Sequence, residues 1–209
     1  MKTYRAGIIG FAHMHVNNVA AHFAQHPQIA WAAGADTEPF RPELRAAPYT
    51  REWNKRHALD DLGVPKAYAD YHEMLDKEQF DLIVVQSENA QHAPVVEACA
   101  AHGAHVCVEK PMADTLSNAL RMVRACQAAG TTMVINWPLT WQPGARKAKA
   151  LLDDGIIGRI LQLKWRAGHT GPLGYGAAHA GVDEVADAMT GAERGATWWH
   201  QIDTGGGAM

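Results

Sequence analysis

Short apolar runs alternate with longer amphipathic segments over the first 135 residues of this 209-residue chain. The runs Tyr4–Ile9, Ile29–Ala35, Ala67–Tyr68, Asp81–Gln86, Ala104–Val108 and Thr131–Asn136 read as strands. The second, fourth and fifth are almost continuously apolar, the pattern of strands covered on both faces. Helical spacing fills the intervals at 14–25, 42–62, 71–78, 91–102 and 115–129. In the segment near 91, His92, Val95, Val96 and Cys99 recur at a period close to that of a helix. Asp114 or Thr115 caps the last of these helices, and Gly130 ends it. Such alternation predicts an α/β fold, a doubly wound parallel sheet with helices on both faces. The stretch Thr37–Asn54, rich in Pro and Arg, reads as a surface excursion.

The pattern changes after Asn136. "NWPLTWQPGARKAKALLDDGIIGRILQLKW" predicts an aromatic, proline-punctuated loop, a helix from Pro143 stopped by Gly155, and a strand over 159–166. Residues 168–197 are irregular and rich in Gly and Ala. We therefore divide the chain into a domain at 1–135 and the beginning of a second, incomplete domain at 136–209. No hairpin partner for the 159–166 strand follows it, and a lone strand leaves backbone groups unpaired. The expectation is a fragment of a longer polypeptide. Trp137, Trp141, Trp165, Trp198 and Trp199 all fall in this second part, which suits either a carbohydrate face or packing between domains.

Composition narrows the function classes. The net charge is −3 with no basic stripe, so a nucleic-acid partner is not expected. No apolar run reaches membrane-spanning length. The three cysteines are odd in number and lack C-x-x-C spacing, which favours reduced thiols, a cytoplasmic location and no zinc site.

Three strand ends carry candidate chemistry. The first, "GIIGFAHMH" at residues 7–15, holds the first glycine of a G-x-G-x-x-G turn at Gly10 but has Ala12 and His15 at the other two glycine positions. His13 and His15 are two apart and do not share a helical face, so they do not predict a metal pair. The second is Asp36, 26 positions after Gly10 at the end of "IAWAAGAD". A carboxylate there accepts hydrogen bonds from ribose hydroxyls and repels a 2′-phosphate, favouring NAD over NADP; Glu38 would add to the acidity. An ordinary turn-forming Asp at a strand end is the plainer reading. The third is "HVCVEKPM" at 105–112, which delivers Glu109 and Lys110 to the carboxyl edge of the sheet, where open parallel sheets bind ligands. A lysine placed there suits proton transfer, although a surface Glu–Lys pair would look the same.

Taken with "AYADYHEML", "FDLIVVQSENAQHAPVVEACAAHGAHVCVEKPM", "LLDDGIIGRI" and the terminal "GGG", these motifs make the chain resemble the Gfo/Idh/MocA family of oxidoreductases. The resemblance implies an N-terminal Rossmann domain, a C-terminal α/β domain with an open sheet that often mediates homo-oligomerisation, and a tightly held nicotinamide cofactor. It implies a sugar, cyclitol or related polyhydroxylated substrate. By position it implies cofactor contacts at Gly10, Ala12, His13, His15, Asp36, Ser87, Glu88, Asn89, His92, Glu109 and Lys110. Lys110 would be the catalytic acid/base, Pro111 would follow a cis bond, and Trp137, Trp141 and His200 are candidate substrate contacts. Glu88 departs from the family, which has proline there, and Thr140 stands where an arginine is usual. The family's catalytic Asp and His follow the "GGG" stretch and would lie beyond Met209. The activity implied is hydride transfer between NAD and a hydroxyl carbon. The alternatives are a glycosidase using NAD for transient oxidation and elimination, and a catalytically inactive NAD-binding sensor.

Overall fold

The computed structural model describes residues 1–40, 50–164 and 202–205. Six parallel strands form one sheet: β1 (Tyr4–Ile9), β2 (Ile29–Ala35), β3 (Ala67–Tyr68), β4 (Leu82–Val85), β5 (His105–Glu109) and β6 (Met133–Asn136). Their spatial order is β3-β2-β1-β4-β5-β6, the doubly wound order that reverses between β1 and β4 and opens a crevice there. The helices are α1 (Val16–Ala24), α2 (Arg51–Asp60), α3 (Tyr71–Lys77), α4 (His92–Ala101), α5 (Leu116–Ala129), α6 (Pro138–Trp141) and α7 (Pro143–Asp153).

Alternation along the strands fills two apolar layers. Ile9, Ala33, Ile83, Val85, Val106 and Val108 pack on one face against Met74, Val95, Val96, Cys99 and Met122. Ile8 lies on the other face with Phe11, Val16, Ala20, Ala58 and Val64. The wholly apolar strand β4 sits with β1 at the centre of the sheet, where both faces are covered. Of the two proposed caps for α5, Thr115 takes the position, its Oγ1 accepting from the Asn118 N–H at 3.2 Å, and Gly130 ends the helix at φ 68°. Asp114 instead accepts from the Asn118 side chain at 2.7 Å.

Two expectations fail. The strand over 159–166 does not form in its described part: residues 159–164 join no sheet, and Ile160, Leu161 and Leu163 are exposed. Gly158, at φ 65°, turns the chain just before them, and with no neighbouring strand among the described residues an extended segment has no ladder to join. Residues 165–166, the 168–197 stretch, Trp165, Trp198, Trp199 and His200 lie outside the described residues. The Thr37–Asn54 excursion, of which 41–49 lie outside the described residues, departs from a surface segment at its ends, although 38–40 are exposed. Thr37 and Asn54 are buried, and the Arg51 side chain is only 12% exposed, because the start of α2 turns inward onto the β1 and β2 ends.

Candidate functional site

The crevice between β1 and β4 begins at Gly10. Its φ of +88° is one that side chains rarely adopt, and a Cβ there would lie 2.4 Å from the Ser87 backbone nitrogen. The β1 turn can therefore lie against the β4 turn only because residue 10 has no side chain. The Gly10 N–H donates to the Ala35 carbonyl (2.9 Å) and the His13 N–H to the Gln86 carbonyl (3.0 Å), hanging the turn between β2 and β4. The N–H groups of Ala12 and Met14 donate to no described residue. Helix α1 follows, with His15 at its N-cap making no side-chain cap bond, while the Val16 and Asn17 N–H groups donate to the His13 and Met14 carbonyls at 3.1 and 3.3 Å. The unspent N–H groups of Ala12 and Met14, in the turn that leads into a helix with no side-chain cap, are a place for an anion.

At the end of β2, the Asp36 carboxylate has two distinct oxygens. Oδ1 accepts from the N–H groups of Phe11 (3.2 Å) and Thr37 (2.9 Å) and from Arg51 Nη1. Among the described residues no donor reaches Oδ2. Arg51 Nη1 also reaches the Thr37 carbonyl at 3.1 Å, while its Nη2 donates to Glu88 Oε1. Burial pushes the Asp36 carboxyl above its ordinary value, against the pull of Arg51 and the two backbone N–H groups. Burial also weighs against the Arg51 cation, but Asp36 and Glu88 outweigh it and hold the guanidinium charged. The acid beside Asp36 is thus Glu88, from the turn after β4; Glu38 is exposed. Asn54 braces the same corner, donating to the Phe11 carbonyl and accepting from Asn17, both at 2.8 Å.

At the end of β5, Glu109 is wholly buried. Its Oε1 lies 2.9 Å from His15 Nδ1 and 3.9 Å from His13 Nε2, and its Oε2 accepts from Asn136 Nδ2 at 3.0 Å. The register pairs Glu109 with Asn136 across β5 and β6. His13, His15 and Glu109 place candidate ligand atoms within 4.8 Å of one another. The two-residue spacing did not reveal this, because both histidines precede α1 and the third group arrives from β5. One feature opposes a cation: His13 Nδ1 accepts the His15 N–H at 3.1 Å, which puts the ring proton on Nε2, the atom facing Glu109. Lys110 follows, half-buried, and the bond to Pro111 is cis.

The remaining predicted residues divide. Ser87 is wholly buried. So is His92, whose Nδ1 lies 3.1 Å from the Pro111 carbonyl and Nε2 3.3 Å from the Ser87 carbonyl, tying the β4 turn to the β5 turn. Asn89 donates to the Gly205 carbonyl at 2.7 Å, docking the helical turn Ile202–Gly205 onto the β4 turn. Trp137 and Trp141 are exposed on and before α6. Arg51, Thr37, Asn54 and Asn136 were missed. Arg51 sits among prolines and arginines, where a charge reads as solvated, and nothing local separates it from its neighbours.

Residues 4–137 match the oxidoreductase family with an NAD-binding Rossmann fold, GFO_IDH_MocA. The chain belongs to the Gfo/Idh/MocA family. Among its relatives, the myo-inositol 2-dehydrogenase of Thermotoga maritima is 30% identical over 141 residues, 66% of this chain and 42% of that protein. The D-xylose 1-dehydrogenase [NADP(+)] of Haloarcula marismortui is 34% identical over 94 residues, 45% of this chain and 26% of that one. The crystal structure of an NAD binding oxidoreductase from Klebsiella pneumoniae superposes with a TM-score of 0.57 at 29% identity, covering 75% of this chain and 40% of that one. The chain thus spans less than half the length of each of these. Among the described residues no helix is long and apolar enough to cross a membrane.

Proposed function

We propose that this member of the Gfo/Idh/MocA family binds NAD across the β1–β4 crevice and takes part in hydride transfer to or from a hydroxyl carbon of a sugar or cyclitol. The observation that carries the reading is the convergence of three features on one sheet edge: the uncapped α1 start, the open Asp36 Oδ2, and the Glu109–Lys110 strand end. These fit the cofactor. The Ala12 and Met14 N–H groups would hold its pyrophosphate, and Asp36 Oδ2 would accept from the adenosine ribose. Gly10, Ser87, Asn89 and His92 would shape the turns around it, while Glu88 would face the ribose end through Arg51. Glu109, with His13 and His15, would border the nicotinamide side.

The bound nicotinamide would supply the hydride chemistry. The chain's part is to orient and to move a proton: Lys110, held at the β5 end by the adjoining turn, would exchange the substrate hydroxyl proton at Nζ. Glu109 is held by His15 and Asn136, which leaves it to fix the start of the Lys110 turn. Trp137 and Trp141 would offer an apolar face to a sugar ring. A homo-oligomer in the cytoplasm belongs to the same proposal, and the exposed Ile156, Ile157, Leu161 and Leu163 favour association.

Titration of the purified chain with NAD⁺, followed by intrinsic tryptophan fluorescence or calorimetry, tests the binding. Saturable binding is expected, and its absence at millimolar NAD⁺ would overturn the reading. For chemistry, Lys110→Ala should leave NAD⁺ affinity nearly unchanged and lower turnover of a sugar or cyclitol by roughly 10²–10⁴-fold, the usual contribution of a positioned acid/base. Turnover within threefold of wild type would remove Lys110 from that role.

A further inference from the structure

We propose that Glu88 selects the cofactor: by engaging Arg51, it keeps that guanidinium from a 2′-phosphate, so the ribose end of the site favours a ribose with free hydroxyls. This deepens the dinucleotide reading above and rests on it. Glu88 is 1% exposed and stands at the start of the 3₁₀ turn Asn89–Gln91. Its two oxygens are both committed. Oε1 accepts from Arg51 Nη2, and Oε2 accepts from Gln91 Nε2 at 3.2 Å and from Thr37 Oγ1 at 3.4 Å. Arg51 Nη1 is in turn committed to Asp36 Oδ1 and the Thr37 carbonyl. Both terminal nitrogens of the guanidinium fork, the part that recognises a phosphate in bidentate fashion, are therefore occupied by the protein.

Charge counting supports the assignment. Two carboxylates, Asp36 and Glu88, share one guanidinium at this corner, so a phosphate entering beside Asp36 would meet an excess of negative charge. Neutralising Arg51 alone would need only Asp36. Burying a second carboxylate is costly unless it serves a purpose that a single ion pair does not. The arrangement still leaves Asp36 Oδ2 without a described donor and able to accept from a hydroxyl. It lies between parts far apart in the chain, the β2 end, α2 and the β4 turn, so it forms only in the folded crevice.

The experiment compares Kd values for NAD⁺ and NADP⁺ on the full 209-residue chain and its variants at fixed salt. Wild type should bind NAD⁺ more tightly than NADP⁺ by on the order of tenfold or more, the worth of at least one charge-assisted hydrogen bond. In Glu88→Gln the ratio should shift toward NADP⁺ by about tenfold as Arg51 Nη2 is released. Adding Arg51→Gln to that variant should abolish the shift. Equal affinities in wild type would overturn the inference without any variant, and this measurement holds even if Glu88→Gln fails to fold. A folded Glu88→Gln with lowered thermal stability but an unchanged ratio would make Glu88 merely structural and also overturn it, while leaving the dinucleotide reading standing. Failure of wild type to bind either dinucleotide would overturn both.

Discussion

Gly10 shows how much a single position can carry at the residue scale. Its positive φ costs an L side chain roughly 1–2 kcal/mol, and a Cβ at 2.4 Å from Ser87 N would collide with backbone rather than with a side chain that could swing away. Gly10→Ala is therefore expected to lower stability by at least that amount and to weaken NAD⁺ binding together with it, because the β1 and β4 turns must separate. Chemical denaturation of both proteins checks this; an unchanged midpoint would mean the turns tolerate a methyl. Gly10, Asp36 and the Glu109–Lys110 pair were legible in the sequence because each sits at the end of a strongly apolar strand. Arg51 and Asn54 were not. Their partners lie at the β1 and β2 ends and at Glu88, and no local spacing predicts a contact made through tertiary folding. The same holds for His13 and His15, whose relation to Glu109 bridges up to 96 positions of chain.

Elements behave as their patterns predict wherever both sequence and neighbours agree. β1, β2 and β3 occupy the expected residues, and β4 to β6 differ from expectation only at their ends. The 159–164 segment has apolar residues suited to a strand but no strand beside it among the described residues, and it stays out of the six-stranded sheet. Between elements, His92 joins the first turn of α4 to the β5 turn. Burial pushes its imidazole below the ordinary histidine value, against the raising effect of the nearby carbonyls, so the folded chain keeps it neutral. The unfolded chain takes up a proton near pH ~6.5, so this contribution to stability is present above that pH. It is lost as pH falls below the unfolded value toward the folded one. His102 works in the opposite sense, raised by the Ala98 carbonyl and by Asp76. The readout is therefore the difference between wild type and His92→Asn in denaturant titrations from pH 7 to 5. Wild type should lose stability more steeply, by up to ~1.4 kcal/mol per pH unit. Parallel pH profiles would show that His92 carries no such burden.

For the whole molecule, two apolar layers hold the sheet, and Cys99 and Cys126 belong to one of them. Cys99 and Cys126 are buried and Cys107 partly so, and none forms a disulfide. Burial pushes the Cys99 thiol up and raises Cys107 to about 11. Thiolate, the reactive form, is scarce at both. Thiol titration with an aromatic disulfide should find all three slow in the native chain and fast in guanidinium. Rapid reaction of Cys99 before unfolding would contradict the packing of α4 on the sheet. By itself the sequence determined the alternating elements, the parallel doubly wound class and the three strand ends to which the proposed function assigns chemistry. These follow from period and burial, which are local properties of the chain. Only the tertiary structure decided that Arg51 is shared by Asp36 and Glu88, that Glu109 is held by His15 and Asn136, and that residues 159–164 remain outside the sheet. Each of these depends on which groups meet across the fold, where burial strips away water and leaves a charge or a backbone amide to whatever partner lies within reach.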